Sequence, residues 1–295
     1  MNTLVPVYRR RASALHTARA GVGAAYCAAL ALVCVLYTSP VILAAVLVAV
    51  LAAGLAAGVA GELRKAALIG LPVAVLMTVI NPLVYQEGET VLVRGWVILG
   101  HRFDMSLEAL AFGGAAGLRF IVLVLAFGLF SAVVDPDRML ALMRRVSYRS
   151  ALTAALATRL VPVLARDAGR MGDAARCRPS APGRATVARA VVAGSLDRAV
   201  DLAAALETRG YASATRPRAQ RTPWSRHDVA VAAAALAIAL LAVAGALAGV
   251  GGFDPYPGIA LATGPQELVL GSAIVGCALA PFAGARARVG VAARA

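Results

Sequence analysis

The sequence predicts an all-α polytopic membrane protein, with about six transmembrane helices and two long amphipathic helices on the cytoplasmic side. Three observations carry that expectation. Hydrophobic residues make up 60% of the 295-residue chain and charged residues only 15%, against about 45–50% and about 25% in soluble domains. Uncharged apolar stretches of span length recur between short polar or Gly/Pro-rich breaks. Basic residues gather in alternate connections and avoid the others. Together these exclude an ordinary soluble enzyme and a disordered chain.

A membrane span takes about 20 apolar residues, with roughly 17–25 tolerated. Residues 22–37 form the first span and run into the turn Thr38-Ser39-Pro40; residues 41–60 form the second. Gly61-Glu62-Leu63-Arg64-Lys65 reads as a charged break before the third span, 66–84, which carries Pro72 and the pair Asn81-Pro82 near its end. A polar loop, 85–106, leads to the fourth span, 107–134, which contains Arg119. A long charged region follows over 135–228, then an uncharged fifth span, 229–250, a Gly/Pro-rich loop and a short sixth span, 268–283. Three regions result: an N-terminal membrane region, 1–134, a long charged region, 135–228, and a C-terminal membrane region, 229–295. The basic N-terminus runs into two successive apolar stretches, which reads as a helical hairpin and not as a cleavable signal.

Six spans put both termini, the 61–65 break and the 135–228 region on one side. That side holds 26 of the 29 lysines and arginines, while Arg94 and Arg102 lie opposite. By the positive-inside rule both termini and the 135–228 region are cytoplasmic, in a multi-pass protein of the cell membrane. The same distribution accounts for the net charge of +14 without a nucleic-acid partner.

Within 135–228, residues 150–178 read as a helix, with Leu152, Leu156, Leu160, Val163 and Leu164 at helical spacing. Pro162 bends it, and Asp167/Arg170 and Asp173/Arg176 stand at i,i+3 for ion pairing. Pro179 ends it. A second helix spans 184–208, with Val192, Leu196, Ala199, Ala203 and Leu206 along one face and Asp197 and Asp201 on another, and Gly210 supplies its left-handed stop. Two readings compete for such helices. Arginines could meet anionic headgroups at the membrane surface. Alternatively, arginine at a helix C-terminus complements the macrodipole and offers a planar fork to a protein carboxylate. The many aspartates and glutamates favour the protein partner.

The segment Ala205-Leu206-Glu207-Thr208-Arg209-Gly210-Tyr211 resembles the Ala-Met-Glu-Ala-Arg-Gly-aromatic signature of the T components of energy-coupling factor (ECF) transporters. Ala174-Ala175-Arg176-Cys177 is similar to that family's first Ala-Arg-Gly motif, Leu160-Val161-Pro162 to its preceding proline step, and Asn81-Pro82-Leu83 with Leu107-Glu108-Ala109-Leu110 to its earlier markers. Asp135-Pro136 resembles its acidic-capped helix after the fourth span. These motifs cover residues 60–220. Cys177 and Thr208 depart from the family's Gly and Ala.

The resemblance implies a non-catalytic transmembrane coupling subunit of an ECF-type ABC importer. Its partners would be two cytoplasmic ABC ATPases and a small membrane-embedded substrate-binding subunit for a vitamin or metal ion. Arg176 would dock one ATPase and Arg209 the other, flanked by Ala175, Cys177, Glu207, Thr208 and Gly210. ATP would be bound by the ATPases, and this chain would need no cofactor or metal of its own. No Walker A, HExxH or Ser-His-Asp set is present in the sequence. A conventional ABC-importer permease, the alternative, would form its own translocation path and carry a single coupling-loop signature.

Other residues carry structural expectations. Gly54 and Gly58 form a small-xxx-small packing pattern. Arg119 meets a partner inside the protein or snorkels. Glu207 pairs with a nearby arginine. His16, His101 and His227 read as surface histidines. Cys27, Cys34 and Cys277 read as small apolar packing residues.

Overall fold

The computed structural model describes residues 8, 11, 13–84, 91–93, 97–98, 101–102, 105–143, 148–179, 182–208, 210, 223–253 and 264–292. The chain separates into two units, one built from residues 1–139 and 224–295 and the other from 140–223.

The first unit is the membrane unit. A short helix, α1 (Ala14–Thr17), precedes α2 (Ala20–Leu36) and α3 (Pro40–Ala56). Pro40 starts α3 because a first-turn residue has no intrahelical use for its N–H. Gly58, at φ +74°, ends it, with Val59 N donating to Gly54 O and Gly58 N to Leu55 O. This is a Schellman stop, so Gly58 turns the chain and does not pack as half of a small-xxx-small pair.

The charged break is not a loop. Helix α4 runs over Ala60–Val84, and Glu62 and Lys65 form an ion pair at 3.1 Å one turn apart. An acidic residue in the first turn suits the positive end of the helix dipole, which is why the charges did not break the helix. Helix α5 (Leu107–Val133) begins at Ser106, whose Oγ accepts from Ala109 N at 3.2 Å. Between α4 and α5, β1 (Val91–Val93) pairs antiparallel with β4 (Met105–Ser106), and β2 (Val97–Ile98) with β3 (His101–Arg102), one pair nested inside the other. The described residues of the segment expected as a polar loop are therefore paired strands. The expected acidic-capped helix is α6 (Pro136–Met143), with Asp135 accepting from Asp137 N at 3.0 Å. After the second unit come α9 (Arg226–Leu247) and α10 (Pro265–Ala292).

Four of these helices, α4, α5, α9 and α10, are long and apolar enough to cross a membrane; α2 and α3 are apolar and 17 residues each. Helix α4 lies along α5, α2 along α9 and α3 along α10, while α9 touches α10 and α5 touches α2 and α3. Their shared core includes Leu30, Val33, Val46, Val50, Leu129, Ile238 and Ile274.

Apolar burial does not drive helices together in lipid; close packing and polar bonds do. The α4–α5 seam is glycine-lined. A Cβ on Gly117 would stand 2.7 Å from Ala74 O, one on Gly113 2.8 Å from Thr78 O, and one on Gly128 2.7 Å from Ala66 Cβ. Gly113-x-x-x-Gly117 is thus the small-residue motif that packs, and Asn81 of the Asn-Pro pair sits against it.

Polar bonds close the bundle at both ends. At one end Asp228 completes a capping box with Ser225, accepts from Arg19 N at 2.7 Å, and faces Arg19 Nε at 3.6 Å. The Arg19 guanidinium lies over the Trp224 ring at 5.0 Å. At the other end Ser39 Oγ donates to Glu267 at 2.8 Å, and Tyr37 OH to Ala242 O at 2.8 Å. Between them Tyr26 OH donates to Ala278 O at 2.8 Å. The last two helices are bonded into the bundle, not appended to it.

Candidate partner-docking site

The second unit takes in the last turn of α6 and is built from α7 (Tyr148–Arg176) and α8 (Arg184–Thr208). Helix α7 runs unbroken through Pro162, whose carbonyl accepts from Arg166 Nε at 3.2 Å. Alanine and leucine dominate its sequence, and such residues lose little freedom in a helix. Helix α8 starts at Gly183, whose carbonyl accepts from Thr186 N at 2.9 Å. It ends where Gly210, at φ +76°, takes the left-handed conformation and donates to Glu207 O at 2.9 Å.

The two helices have little core. Ala155 is the one buried hydrophobic side chain among their described residues. The face of α8 expected to be apolar is largely open, with Val192 and Leu196 more than half exposed, Ala199 and Ala203 exposed and Leu206 half-buried, and Val200 beside it is exposed too. The helices instead share an ion pair. Asp167 pairs with Arg198 of α8 at 2.8 Å, not with Arg170 one turn on as expected.

At the end of α7, Arg176 is 81% exposed and lies 3.4 Å from Asp173, the i,i+3 partner expected for it. An exposed pair of this kind is worth about 0–1 kcal/mol, so it does not hold the guanidinium away from a better acceptor. Ala175 is half-buried, and its carbonyl accepts from Arg178 N at 3.3 Å. Cys177 is an exposed free thiol. At the end of α8, Glu207 and Thr208 are exposed, and Thr208 Oγ1 donates to Ala205 O at 2.9 Å. Arg209 lies outside the described residues. What the described part presents is the negative end of a helix dipole and, at Arg176, an exposed forked cation beside it. That arrangement suits an acidic groove or a carboxylate.

The membrane unit answers the other expectations. Arg119 Nη2 donates to Tyr37 O at 2.6 Å, so this cation caps the C-terminus of α2 from inside the protein. It is not the charged residue of the fourth span by itself, because Glu108 in the first turn of α5 is 1% exposed. His16 corrects the surface reading: α1 folds under the bundle, His16 is buried, and its Nδ1 lies 2.7 Å from Ser13 Oγ. His227 is exposed as expected. The side chain of His101 lies outside the described residues. Cys27 and Cys34 are buried and Cys277 is half-buried. Among the described residues no group of three or more His, Cys, Asp or Glu is placed to hold a metal ion.

The polar clasps of Asp228, Tyr26, Tyr37 and Ser39 were not singled out from sequence. A lone tyrosine or serine in an apolar run gives no sign of which carbonyl or carboxylate it will reach, two hundred residues away.

A family model described as CbiQ, cobalt transport protein, matches residues 11–221. No curated protein matches the chain.

Proposed function

The chain belongs to the CbiQ cobalt transport protein family, the T components of ECF transporters, and from that membership we propose that it is the coupling subunit of an ECF-type ABC importer. In this reading it performs no chemistry. Two cytoplasmic ATPases bind and hydrolyse ATP and move α7 and α8. A small membrane-embedded subunit binds the vitamin or metal ion and is tilted by that motion. Both termini and the second unit face the cytoplasm.

One observation carries the reading: the second unit is a pair of long helices that buries almost nothing of its own and exposes a forked cation at the end of α7. A helix pair that leaves Val192, Leu196 and Val200 open is stable in company, because exposed apolar patches mark interaction surfaces. A permease that formed its own path gains no support from any described feature.

Arg176 and Arg209 would each enter an ATPase groove. Truncating one side of a buried, hydrogen-bonded charge pair costs about 2–5 kcal/mol, much of it from the partner charge left unpaired. Tagged wild-type chain purified from its native membrane should bring down an ATPase pair and a small membrane protein. The double variant Arg176→Ala/Arg209→Ala should lose the ATPases, while Arg166→Ala keeps them. Wild-type chain recovered as a homodimer without ATPase, under mild detergent, refutes the reading.

A further inference from the structure

We propose that Asp167 and Arg198 are positioning residues that fix how α7 and α8 cross, and so set the spacing of the two ends that dock the ATPases. The proposal rests on the coupling reading above and deepens it.

The geometry places the pair at a shared fulcrum. Asp167 stands nine residues before Arg176, the end of α7, and Arg198 ten before Thr208, the end of α8. At about 1.5 Å per residue these arms measure about 14 and about 15 Å. On arms of this length a rotation of about 10° at the pair moves a tip by about 2–3 Å, so the angle at which the helices are tied bears on the separation of their ends.

In most helix pairs interlocking side chains fix the crossing angle. Here that source is weak, since Ala155 is the buried hydrophobic residue among the described residues of α7 and α8, and the valine and leucine stripe of α8 is exposed. Asp167 is 22% exposed and Arg198 44%, and their atoms approach to 2.8 Å. A pair this exposed adds little to folding stability. Its value is directional: it joins one defined point on α7 to one on α8. Asp167 also has Arg170 available one turn away, yet the carboxylate reaches across to the other helix. A charge pair that only solubilised α7 would have formed locally.

The spacing is measurable with spin labels on the exposed native Cys177 and on Glu207→Cys. The experiment uses full-length chain with Cys277→Ala; Cys27 and Cys34 are buried. Wild type should give one narrow distance distribution by double electron–electron resonance. Asp167→Asn and Arg198→Gln should each broaden it, and in the assembled importer should lower uptake per ATP hydrolysed several-fold while the ATPases stay bound. The exchange Asp167→Arg/Arg198→Asp should restore both readouts, and Arg170→Gln should change neither. A simple structural role would not be rescued by reversing both charges. Single variants with the wild-type distribution overturn the proposal, as does a helical, assembled exchange variant that restores nothing. Distances that broaden and recover in a chain that binds no ATPase uphold the positioning role and overturn the coupling reading instead.

Discussion

Removing the carboxylate of Asp228 should destabilise the membrane unit by about 2–4 kcal/mol. Asp228 is 3% exposed and accepts from Ser225 N at 2.9 Å and Arg19 N at 2.7 Å, with the Arg19 guanidinium at 3.6 Å. Asp228→Ala removes the N3 half of the capping box, part of the roughly 0.5–2 kcal/mol that a whole N-cap is worth, and breaks a charge pair, which costs about 3–5 kcal/mol where both partners are buried. The Arg19 side chain is one third exposed and stacks on Trp224, so it can regain water and the upper figures do not simply add. Asp228→Asn keeps one acceptor but no charge and should lose about half as much. The assay is unfolding in mixed micelles, titrated with SDS and followed by helical circular dichroism. Because the two residues act as one unit, Arg19→Ala/Asp228→Ala should lose no more than Asp228→Ala alone. Wild-type stability for Asp228→Ala, or a strictly additive double variant, refutes the account of this end of the bundle.

Three further outcomes follow from the same contacts. Gly117→Leu drives a side chain into the Ala74 carbonyl across the α4–α5 seam, and should cost at least the 1–3 kcal/mol or so of ordinary overpacking, read by the same SDS titration. Arg119→Leu leaves Tyr37 O without its charged donor and should cost about 1.5–3 kcal/mol, with Arg119→Lys recovering part of it. Single cysteines at Ser180 and Gly258, in a chain otherwise free of cysteine, should label from opposite faces of the membrane; labelling of position 180 by an impermeant reagent in intact cells would falsify the proposed orientation.

Most helix ends were legible to within a few residues because their signals are local; the start of α4, inside the expected charged break, and the end of α10 were not. Apolar length, Pro40 at a helix start and Gly210 past a helix end each act within one turn, and α8 begins and ends where its periodicity says. Gly58 shows the limit of such signals. Its spacing from Gly54 fits a packing motif, yet only the backbone φ reveals that it closes a helix. The candidate docking residues at the two helix ends were legible as a pattern of arginine at a C-terminus. The tie between Asp167 and Arg198 was not, because Arg170 offered Asp167 a partner at helical spacing and sequence carries no measure of a crossing. His16 failed for the same reason: a four-residue helix beside a basic terminus reads as surface until α9 and α10 are seen to cover it.

The two units solve the problem of holding helices together by opposite means, and the contrast bears on function. In the membrane unit the N-terminal and C-terminal helices are joined by Arg19–Asp228 at one end, Tyr26–Ala278 along the length, and Tyr37–Ala242 and Ser39–Glu267 at the other end. Buried interhelical bonds of this kind average about 0.6 kcal/mol in a bilayer and reach about 2. Spread over both ends, they resist tilting of any one helix better than the same energy placed at one point. Among its described residues the second unit has one ion pair between its helices, and α8 leaves apolar side chains open. A rigid bundle and a sparsely tied helix pair differ in how far a given force moves them, and in the proposed coupling role the compliant part belongs where the ATPases would apply force. Stiffening α7 against α8, for example by a disulfide beyond the ion pair, should therefore preserve ATPase binding and abolish uptake, whereas an equivalent cross-link between α2 and α9 should leave uptake intact. Equal uptake from both cross-linked chains would show that the division of stiffness has no part in the mechanism.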